Sequence, residues 1–315
     1  MGAFILRRLV ALVPLLLLVS FLVYGLILLT GGNPAFTLAG GPKADPEVVA
    51  RITRQLHLDE PFFSQYWRWL THAIQGDLGH PLFTRGTVAG NIGQRFPATV
   101  SLAFGAMVVS LLIGIPAGML AAIRPGTWLD RLMTTGSSAG IAMPDFWIAI
   151  LLVSFFAVSH SILPALGYVR FGDSPGKWIE HLILPCVALG LAGGATLARQ
   201  LRGSLIDVLD QDYIRSARAM GLRERDVIGK LALKNAAAPV MTVAGIQFAY
   251  LLGGTFIIES IFSINGVGQY VLQAIGTTDI PVIQGFALVT ALIFVFVNLL
   301  VDVGYAYLNP KVQLQ

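Results

Sequence analysis

Residues 211–239 read QDYIRSARAMGLRERDVIGKLALKNAAAP and form a strongly charged stretch between two long apolar segments. We call this stretch the charged loop. The spacing of Tyr213, Ala217 and Met220 predicts a short helix with these residues along one face. Gly221 follows, and glycine readily ends a helix because the left-handed conformation brings it no Cβ clash. The stretch is too charged to lie in lipid.

A second helix is predicted after this glycine, and Pro239 is expected to end it. Its charged and apolar residues fall on different sides: Asp226, Lys230 and Lys234 on one, and Ile228, Leu231 and Ala232 toward another. A helix-turn-helix between two membrane-length segments would be well placed to bind a soluble partner protein. A solvated loop with incidental helices is the alternative reading of the spacing.

The composition of the chain indicates a membrane protein. Of its 315 residues, 55% are hydrophobic and 12% are charged, and the mean hydropathy is +0.74. Soluble domains carry about 25% charged residues. The net charge of +4 arises mainly next to apolar segments, which does not indicate nucleic-acid binding. Cys186 is the single cysteine, so no intramolecular disulfide can form, and its apolar surroundings predict a small buried residue.

Six apolar runs are long enough to cross a bilayer. They are Leu9–Thr30, Pro97–Ile123, Leu132–His160, Leu182–Gln200, Val240–Phe262 and Val282–Leu308. Six crossings place both termini on one side. Thirteen of the 21 Lys and Arg residues then fall on that side, and the short loops on the other side carry only Arg170 and Lys177. The positive-inside rule therefore puts both termini in the cytoplasm.

The third run contains Pro144, which predicts a kink or two half-helices. Asp145 follows the proline and would lie at membrane depth. An acid there is either a pathway residue or the cap of the second half-helix, since acids favour helix N-termini. Both roles are kept as hypotheses.

The polar segment between the first two runs, residues 31–95, predicts two helices. Asp45-Pro46-Glu47 is a helix start, followed by an apolar stripe of Val49, Ile52 and Leu56. The second is expected from Pro61 to Ile74, with Phe63, Trp67, Leu70 and Ile74 along one face. Trp67 and Trp69 favour a place near a membrane interface.

Arg218-Ala219-Met220-Gly221, followed by Asn235 and Pro239, resembles the EAA loop of bacterial ABC-importer permeases in the dipeptide/oligopeptide permease family. Lys is usual in that family where this chain has Met220. Further matches occur in the family's order: Leu58-Asp59-Glu60-Pro61, Gly76-Asp77-Leu78-Gly79, Glu259-Ser260-Ile261-Phe262, Gly266-Val267-Gly268 and Ile280-Pro281-Val282. The chain departs from the pattern at Asn265, where proline is usual, and at Asn309, where aspartate is usual.

The resemblance implies an all-α membrane protein with six transmembrane helices of the type I ABC-importer permease fold and a small helical extracytoplasmic segment after the first helix. Residues 1–30 would form the cytoplasmic N-terminal end and the first transmembrane helix, and residues 31–95 the extracytoplasmic segment. Residues 96–315 would form a five-helix permease core with its cytoplasmic coupling loop at 203–239.

The family's coupling helix docks in a groove of the ATPase subunit, so the resemblance implies that role for Tyr213, Ile214, Arg215, Ala217, Arg218, Ala219, Met220, Gly221 and Leu222. Arg215 and Arg218 would supply charge-assisted contacts to the ATPase. The implied partners are a second homologous permease subunit, two ABC ATPase subunits or domains, an extracytoplasmic peptide-binding protein and membrane lipid, with no nucleic acid.

The resemblance further implies a non-catalytic subunit of a di- or oligopeptide importer in the bacterial inner membrane. The chain would bind no cofactor, because ATP and Mg belong to the partner ATPase. The alternative function is a self-contained secondary transporter, which would need ion-coupling carboxylates near the midplane and inverted repeats. Asp145 is the deep acid that the sequence suggests for it.

Several short motifs invite other functions. Residues 136–140, GSSAG, match a nucleophile elbow, but they lie in an apolar helix far from any histidine. Residues 172–178 lack the Ser/Thr of a phosphate loop. Gly114-x-x-x-Gly118 and Gly190-x-x-x-Gly194 are spacings typical of packed membrane helices. The five histidines show no metal-ligand spacing.

Overall fold

The computed structural model describes residues 2–29, 34–41, 44–55 and 57–308. Within them the chain forms fourteen α-helices: α1 Gly2–Leu29, α2 Pro34–Leu38, α3 Pro46–Gln55, α4 Phe62–Ile74, α5 Val88–Ile123, α6 Trp128–Ala142, α7 Asp145–Leu152, α8 Pro175–Leu209, α9 Asp212–Ala219, α10 Glu224–Asp226, α11 Leu233–Gly254, α12 Phe256–Ile261, α13 Val267–Thr277 and α14 Ile280–Leu308. π-helical turns at Val153–Ser159 and Val227–Ala232 continue α7 and join α10 to α11. No strand occurs in these residues.

Four helices in the described residues are long and apolar enough to cross a membrane: α5, α8, the continuous helix Glu224–Gly254, and α14. The bent pair of α6 and α7 forms a fifth crossing if it is counted as one span. The first run predicted from the sequence falls in α1, whose 28 residues pack against α14. Thr30, Asn309 and Lys311 lie outside the described residues.

The predicted break at Pro144 is confirmed. Residues Trp128–Ala142 and Asp145–Ser159 meet at an angle of 97°. Pro144 has an extended backbone and precedes the first residue of α7. Because proline has no amide hydrogen, it cannot donate the backbone hydrogen bond that would continue α6. The chain turns here, and α7 begins at the next residue.

Close packing of α5 against α8 forms the centre of the fold. A Cβ atom on Gly114 would come within 2.8 Å of the Gly194 carbonyl oxygen, and one on Gly118 within 2.7 Å of the Ala198 carbonyl oxygen. Only glycine permits so close a backbone approach. The two Gly-x-x-x-Gly spacings are therefore confirmed as helix-packing motifs.

The main buried cluster surrounds this helix pair. It takes residues from α5, α7, α8, α11, α12, the turn after α12, and α14, among them Leu102, Ala149, Leu189, Leu252 and Phe262. Cys186 lies in the same cluster, only 4% exposed, and its thiol donates to the Leu102 carbonyl oxygen at 3.6 Å. Its predicted role as a small buried residue is confirmed.

The two helices predicted in the polar segment are present as α3 and α4. The Glu47 amide donates to Asp45 Oδ1 at 2.9 Å, the capping bond expected at the start of α3. Of the apolar face predicted for α4, only Leu70 is confirmed as buried. Phe63, Trp67 and Ile74 are exposed, whereas Tyr66 and Leu70 are buried. The face of α4 that contacts α1 is therefore the one that carries Tyr66 and Leu70. Leu56, from the predicted stripe of α3, lies outside the described residues.

The predicted helix stop at Pro239 is also wrong. α11 continues through Pro239, which the helix accommodates as membrane helices often do. The fifth predicted run, Val240–Phe262, is correspondingly divided. Its helix ends at Gly254, and the short helix α12 follows Thr255 as a separate element.

Candidate functional site

The short helix predicted in the charged loop is α9, and it is held by two buried residues. Ile214 and Ala217 are almost fully buried. They contact an apolar cluster formed by α8 and the helix beginning at Glu224, whose members include Leu201, Leu205, Val227, Ala232 and Ala236. Of the residues to which the sequence gives a coupling role, these two therefore anchor α9 to the membrane helices instead of facing a partner.

α9 and the turn that follows it also expose apolar side chains. Met220 is 74% exposed, and Tyr213 and Leu222 are each more than a third exposed. Ala219 is exposed beside them. Exposed apolar side chains that are surrounded by charged residues are typical of a surface that contacts another protein. We call Tyr213, Ala219, Met220 and Leu222 the apolar knob.

The turn after α9 has the geometry of a Schellman motif. The Gly221 amide donates to the Arg218 carbonyl oxygen at 3.0 Å, and the Leu222 amide donates to the Ala217 carbonyl oxygen at 3.2 Å. Gly221 has a φ of +80°, and no atom lies within 4 Å of where its Cβ would stand. The requirement for glycine therefore comes from the backbone conformation and not from crowding.

Both arginines of α9 are paired with carboxylates close to them in the chain. Arg218 donates from Nε and Nη2 to the two carboxylate oxygens of Glu224, at 3.2 and 2.7 Å. Arg215 donates to Asp210 at 3.0 Å and to Asp212 at 3.4 Å. The Arg218–Glu224 pair spans the Gly221 turn and fixes α9 relative to α10. The two guanidinium groups to which the sequence gives contacts with the ATPase are therefore already paired within the chain.

Two contacts join the loop to the helix that follows. The Asn235 side-chain amide donates to Tyr213 Oη at 3.0 Å. Lys230 pairs with Asp226 at 2.9 Å, as their four-residue spacing predicts. α9 is thus tied to the helix Glu224–Gly254 by an apolar cluster, a hydrogen bond and the Arg218–Glu224 pair.

An ion pair that sequence reasoning missed fixes α6 to α8. Arg202 donates to both oxygens of Asp130, at 2.6 and 2.8 Å, and Asp130 is only 5% exposed. The Gly126 amide and the Thr134 hydroxyl also donate to this carboxylate. Since α8 leads directly into α9, a displacement of α9 would be passed to α6. Sequence spacing gives no signal for a pair 72 residues apart.

The 97° bend places Asp145 at the first residue of α7, and the side chain is partly buried. Its carboxylate accepts no hydrogen bond from the residues described in the structure. A capping role would therefore act through the helix dipole alone. Pro144 fills the N-cap position with an extended backbone and no side-chain donor or acceptor.

At the other end of the molecule, Glu259 is fully buried. Its Oε1 accepts hydrogen bonds from the hydroxyls of Thr99 and Thr255, at 2.8 and 2.9 Å, and its Oε2 accepts one from the Gln269 amide at 2.7 Å. The carboxylate thus caps the N-terminus of α13. A Cβ on Gly266 would collide with it, which explains the glycine in the family motif. Sequence reasoning noted the motif but not the burial of its acid.

A second carboxylate fastens the outer loop. Asp279 Oδ2 accepts from the Leu82 amide at 3.0 Å and from the Phe83 amide at 3.4 Å, which joins the loop before α5 to the start of α14. Burial raises the pKa of the Asp279 carboxyl above its ordinary value, and the amide donors partly offset that rise.

The motifs that invited other functions lie in settings that do not support them. Residues 136–140 are inside α6, where the Ser138 hydroxyl donates to the Thr134 carbonyl oxygen at 3.0 Å. A nucleophile elbow requires a strand-to-helix turn. Residues 172–178 run from a turn into the start of α8. No cluster of His, Cys, Asp or Glu able to hold a metal ion occurs in the part of the chain that the structure describes.

The fold and the site thus define a multi-pass helical membrane protein with a broken span and an anchored charged helix between two spans. The chain belongs to the family of binding-protein-dependent transport system inner membrane components. The family model matches residues 114–314, and the N-terminal model of the same kind of component matches residues 1–103. The resemblance noted in the sequence is confirmed.

Among its relatives is the glutathione transport system permease protein GsiC of Escherichia coli K12, which is 40% identical over 310 residues, or 98% of each chain. GsiC of Salmonella paratyphi A shows the same identity and coverage. The inward-facing MetNI methionine ABC transporter has a similar fold, with a TM-score of 0.55 and 20% identity over 69% of this chain and 96% of that chain. The protein is therefore a permease subunit of an ABC importer, and membership implies association with another permease and with ATPase subunits.

Proposed function

We propose that this permease imports small peptides, glutathione among them, and that the charged loop couples it to a separate ATPase. The observation that carries the proposal is the arrangement of α9, which is anchored by the buried Ile214 and Ala217 while the apolar knob remains exposed. A helix held in this way can move as a rigid unit, so that a displacement of α9 is transmitted to α8 and to the helix Glu224–Gly254.

The contact with the ATPase is mainly apolar in this proposal. Met220 would enter a groove of the ATPase subunit, with Tyr213 and Leu222 at its sides, since buried apolar anchors carry most of the energy of such contacts. Arg215 and Arg218 would hold the shape of the loop and contribute charge at the rim. Those arginines are already paired within the chain. Replacing each present carboxylate by one of the ATPase would therefore contribute little net binding free energy.

A small peptide as cargo is supported by the relatives, since GsiC is named as a glutathione permease. It is also supported by a polar cavity of about 750 Å³ at the end of the molecule opposite α9. The cavity lies between the start of α5 and the loops before α8 and α13, and Arg95, Arg170 and Asp173 line it. Both signs of charge at the mouth suit a zwitterion, and the volume is that of a small-ligand site.

The termini and the charged loop would face the cytoplasm in this proposal, with α3 and α4 on the outside. An extracytoplasmic binding protein would deliver the cargo to the outer cavity, and a second, similar permease would complete the pathway. ATP and Mg would be bound by the ATPase subunits, so this chain would carry no catalytic residue. Alternating access would follow closure of the ATPase pair, transmitted through α9.

The secondary-transporter alternative is not favoured, because the buried acids have structural partners. Asp130 is paired with Arg202, and Glu259 accepts hydrogen bonds from two hydroxyls and an amide. A carboxylate that loads and releases an ion needs its oxygens free in one state. Asp145 alone among these acids lacks such partners in the described residues.

The test is uptake by the complex assembled in proteoliposomes from this permease and its partner permease, ATPases and binding protein. The proposal predicts ATP-dependent accumulation of labelled dipeptides, tripeptides or glutathione, and none when the ATPase is left out. Accumulation driven by an ion gradient without the ATPase would contradict it. Transport of free amino acids with exclusion of every peptide tested would contradict the cargo.

A further inference from the structure

A cleft lies between α5 and α6, and α8 forms its floor. It consists of two adjoining cavities with volumes of about 220 and 280 Å³, and Ser137 and Ala198 are among the residues that line both. The smaller cavity is lined by Arg199 and Arg202, near the end of α8 that leads into the charged loop. Leu191, which lines the larger cavity, lies about 12 Å before Arg199 along the axis of α8. The cleft is therefore elongated along the membrane helices.

The smaller cavity contains an unpaired positive charge. Arg199 lines this cavity and its side chain is exposed. Its Nη2 donates to the hydroxyl of Ser138, another wall residue, at 3.2 Å, so the guanidinium lies at the cavity. Arg199 has no carboxylate partner within the described residues, whereas Arg202 is paired with Asp130. One net positive charge is therefore available to an anion in the cleft.

A buried hydroxyl without a partner lies where the two cavities meet. Ser137 is 8% exposed, and it lies on the same buried face of α6 as Asp130. Its hydroxyl makes no hydrogen bond in the part of the chain that the structure describes. The oxygen is not one of the unpaired polar atoms that these residues seal from solvent, so a group in the cleft can reach it. Because buried hydroxyls are normally paired, this one indicates a missing polar partner.

The larger cavity has mainly apolar walls, to which Ile113, Leu132 and Leu191 contribute. On the neighbouring surface of α5, Leu112 and Leu120 are 69% and 47% exposed. Since α5 is long and apolar enough to cross a membrane, this surface can border hydrocarbon chains. A peptide in the larger cavity would leave its polar groups without partners, at a cost in free energy. The cleft therefore suits an amphiphile with an anionic end and an apolar tail.

We infer that the cleft binds one anionic phospholipid, with its phosphate beside Arg199 and Ser138 and one acyl chain in the larger cavity. The guanidinium donates to the phosphate oxygens. The Ser137 hydroxyl donates to an ester carbonyl oxygen, which lies between the headgroup and the chain. The length of about 12 Å fits within one leaflet, whose hydrocarbon is about 15 Å deep. The lipid thus braces α6 against α5 beside the Asp130–Arg202 pair, a role separate from cargo import.

Two arginine substitutions separate this site from general attraction of anionic lipid. Arg199→Gln removes the charge in the cleft and keeps a long polar side chain. Arg131→Gln removes the same charge from an exposed position of α6 that does not line the cleft, and it is the matched control. The full-length protein is purified, stripped of lipid in detergent, and titrated with phosphatidylglycerol or with phosphatidylcholine of the same acyl chains. Bound lipid is measured by native mass spectrometry.

We expect the parent and Arg131→Gln to bind one phosphatidylglycerol with equal affinity. Arg199→Gln should bind it about fivefold more weakly, the effect of removing one cation near an anionic headgroup. Phosphatidylcholine, whose choline cancels the phosphate charge, should bind the parent more weakly than phosphatidylglycerol. Equal affinity of the two variants for phosphatidylglycerol would overturn the site. Displacement of the lipid by inorganic phosphate, or by glycerophosphoglycerol without acyl chains, would overturn the choice of an amphiphile.

Ser137→Ala tests the position of the lipid independently of charge. The ester groups are common to both lipids, so this variant should bind each about fivefold more weakly through loss of one hydrogen bond. Unchanged binding of both lipids would overturn the proposed orientation. The titration is repeated with the complex assembled from this permease, its partner permease and the ATPases. Bound phosphatidylglycerol should persist there, and its loss on assembly would show that the partner permease covers the cleft, which would overturn the proposal.

Discussion

The charged loop at one end of the molecule and the α12–α13 hairpin at the other are both short helices held between membrane spans, yet they are fixed by different forces. α9 is anchored by apolar burial of Ile214 and Ala217, and its charges are paired at the surface. The hairpin is fixed by the buried carboxylate of Glu259, on which three donors converge. Apolar anchoring leaves a surface free to change partners, whereas a buried hydrogen-bond network specifies one arrangement.

This difference predicts that substitutions in the hairpin affect folding, whereas substitutions on the surface of the charged loop affect coupling. The largest effect is expected for Glu259→Leu. It leaves the Gln269 amide and two hydroxyls without their acceptor, which costs about 3–9 kcal/mol at about 1–3 kcal/mol for each buried donor. Unfolding of the purified protein in mixed micelles measures this cost.

Glu224→Gln, a substitution in the charged loop, is the control for Glu259→Leu. It weakens an exposed ion pair with Arg218, for which about 0–1 kcal/mol is expected. If Glu259→Leu were as stable as Glu224→Gln, the buried carboxylate would not be what fixes the hairpin.

The second largest effect is expected at the ion pair that joins α6 to α8. Arg202→Ala leaves Asp130 buried and unpaired, and we expect about 2 kcal/mol of destabilisation, less than for a fully buried pair because Arg202 is about one-third exposed. Arg199→Ala, three residues earlier and exposed, should cost less than about 0.5 kcal/mol. Equal unfolding curves for the two variants would argue against a rigid α6–α8 unit.

A smaller effect on stability and a larger effect on coupling are expected at Gly221. A valine there is forced into the left-handed region at a cost of about 1–2 kcal/mol, but it meets no neighbouring atom, so the protein should still fold. Stimulation of ATP hydrolysis by the cargo-loaded binding protein should fall severalfold in Gly221→Val and be retained in Gly221→Asn, because asparagine tolerates this conformation. Equal activity of both variants would show that the Schellman turn is dispensable.

The smallest effect on stability is expected on the apolar knob. Met220→Glu should change the free energy of unfolding by less than about 0.5 kcal/mol, since the side chain is exposed. ATPase stimulation should nevertheless be lost, because the groove would have to bury a charge. Gln211→Glu adds the same charge at the start of the same helix and should leave stimulation intact. A coupled Met220→Glu complex would mean that the knob does not enter the ATPase.

The sequence predicted what local chemistry determines. α9, the Gly221 turn and the break at Pro144 all follow from residue types a few positions apart. The sequence did not predict features that depend on which surfaces meet. α4 has aromatic residues on two faces, so periodicity alone could not choose Tyr66 over Trp67 as the buried one. Pro239 stays within a helix because tertiary packing overrides the local penalty.

The same distinction applies to the candidate site. The residues of α9 were found from the family pattern, but their division into anchors and an exposed knob was not, because it depends on the neighbouring helices. Pairing of Arg218 with Glu224 across the turn was also missed, and the charge was assigned to a partner instead. The burial and pairing of Glu259 and Asp130 were not predicted because their partners, Thr99 and Arg202, are 160 and 72 residues away in the chain.

The most direct test of the account is a cross-link from the apolar knob to the ATPase. Cys186 is the only native cysteine and is buried, so Met220→Cys introduces a single reactive thiol. In the assembled complex in inside-out vesicles, a maleimide–benzophenone reagent attached to this cysteine should join it to the ATPase subunit on illumination, because the photoactivated benzophenone inserts into C–H bonds of whatever it contacts. No cross-link to an ATPase, or labelling of this cysteine by an impermeant maleimide added from outside intact cells, would contradict the account.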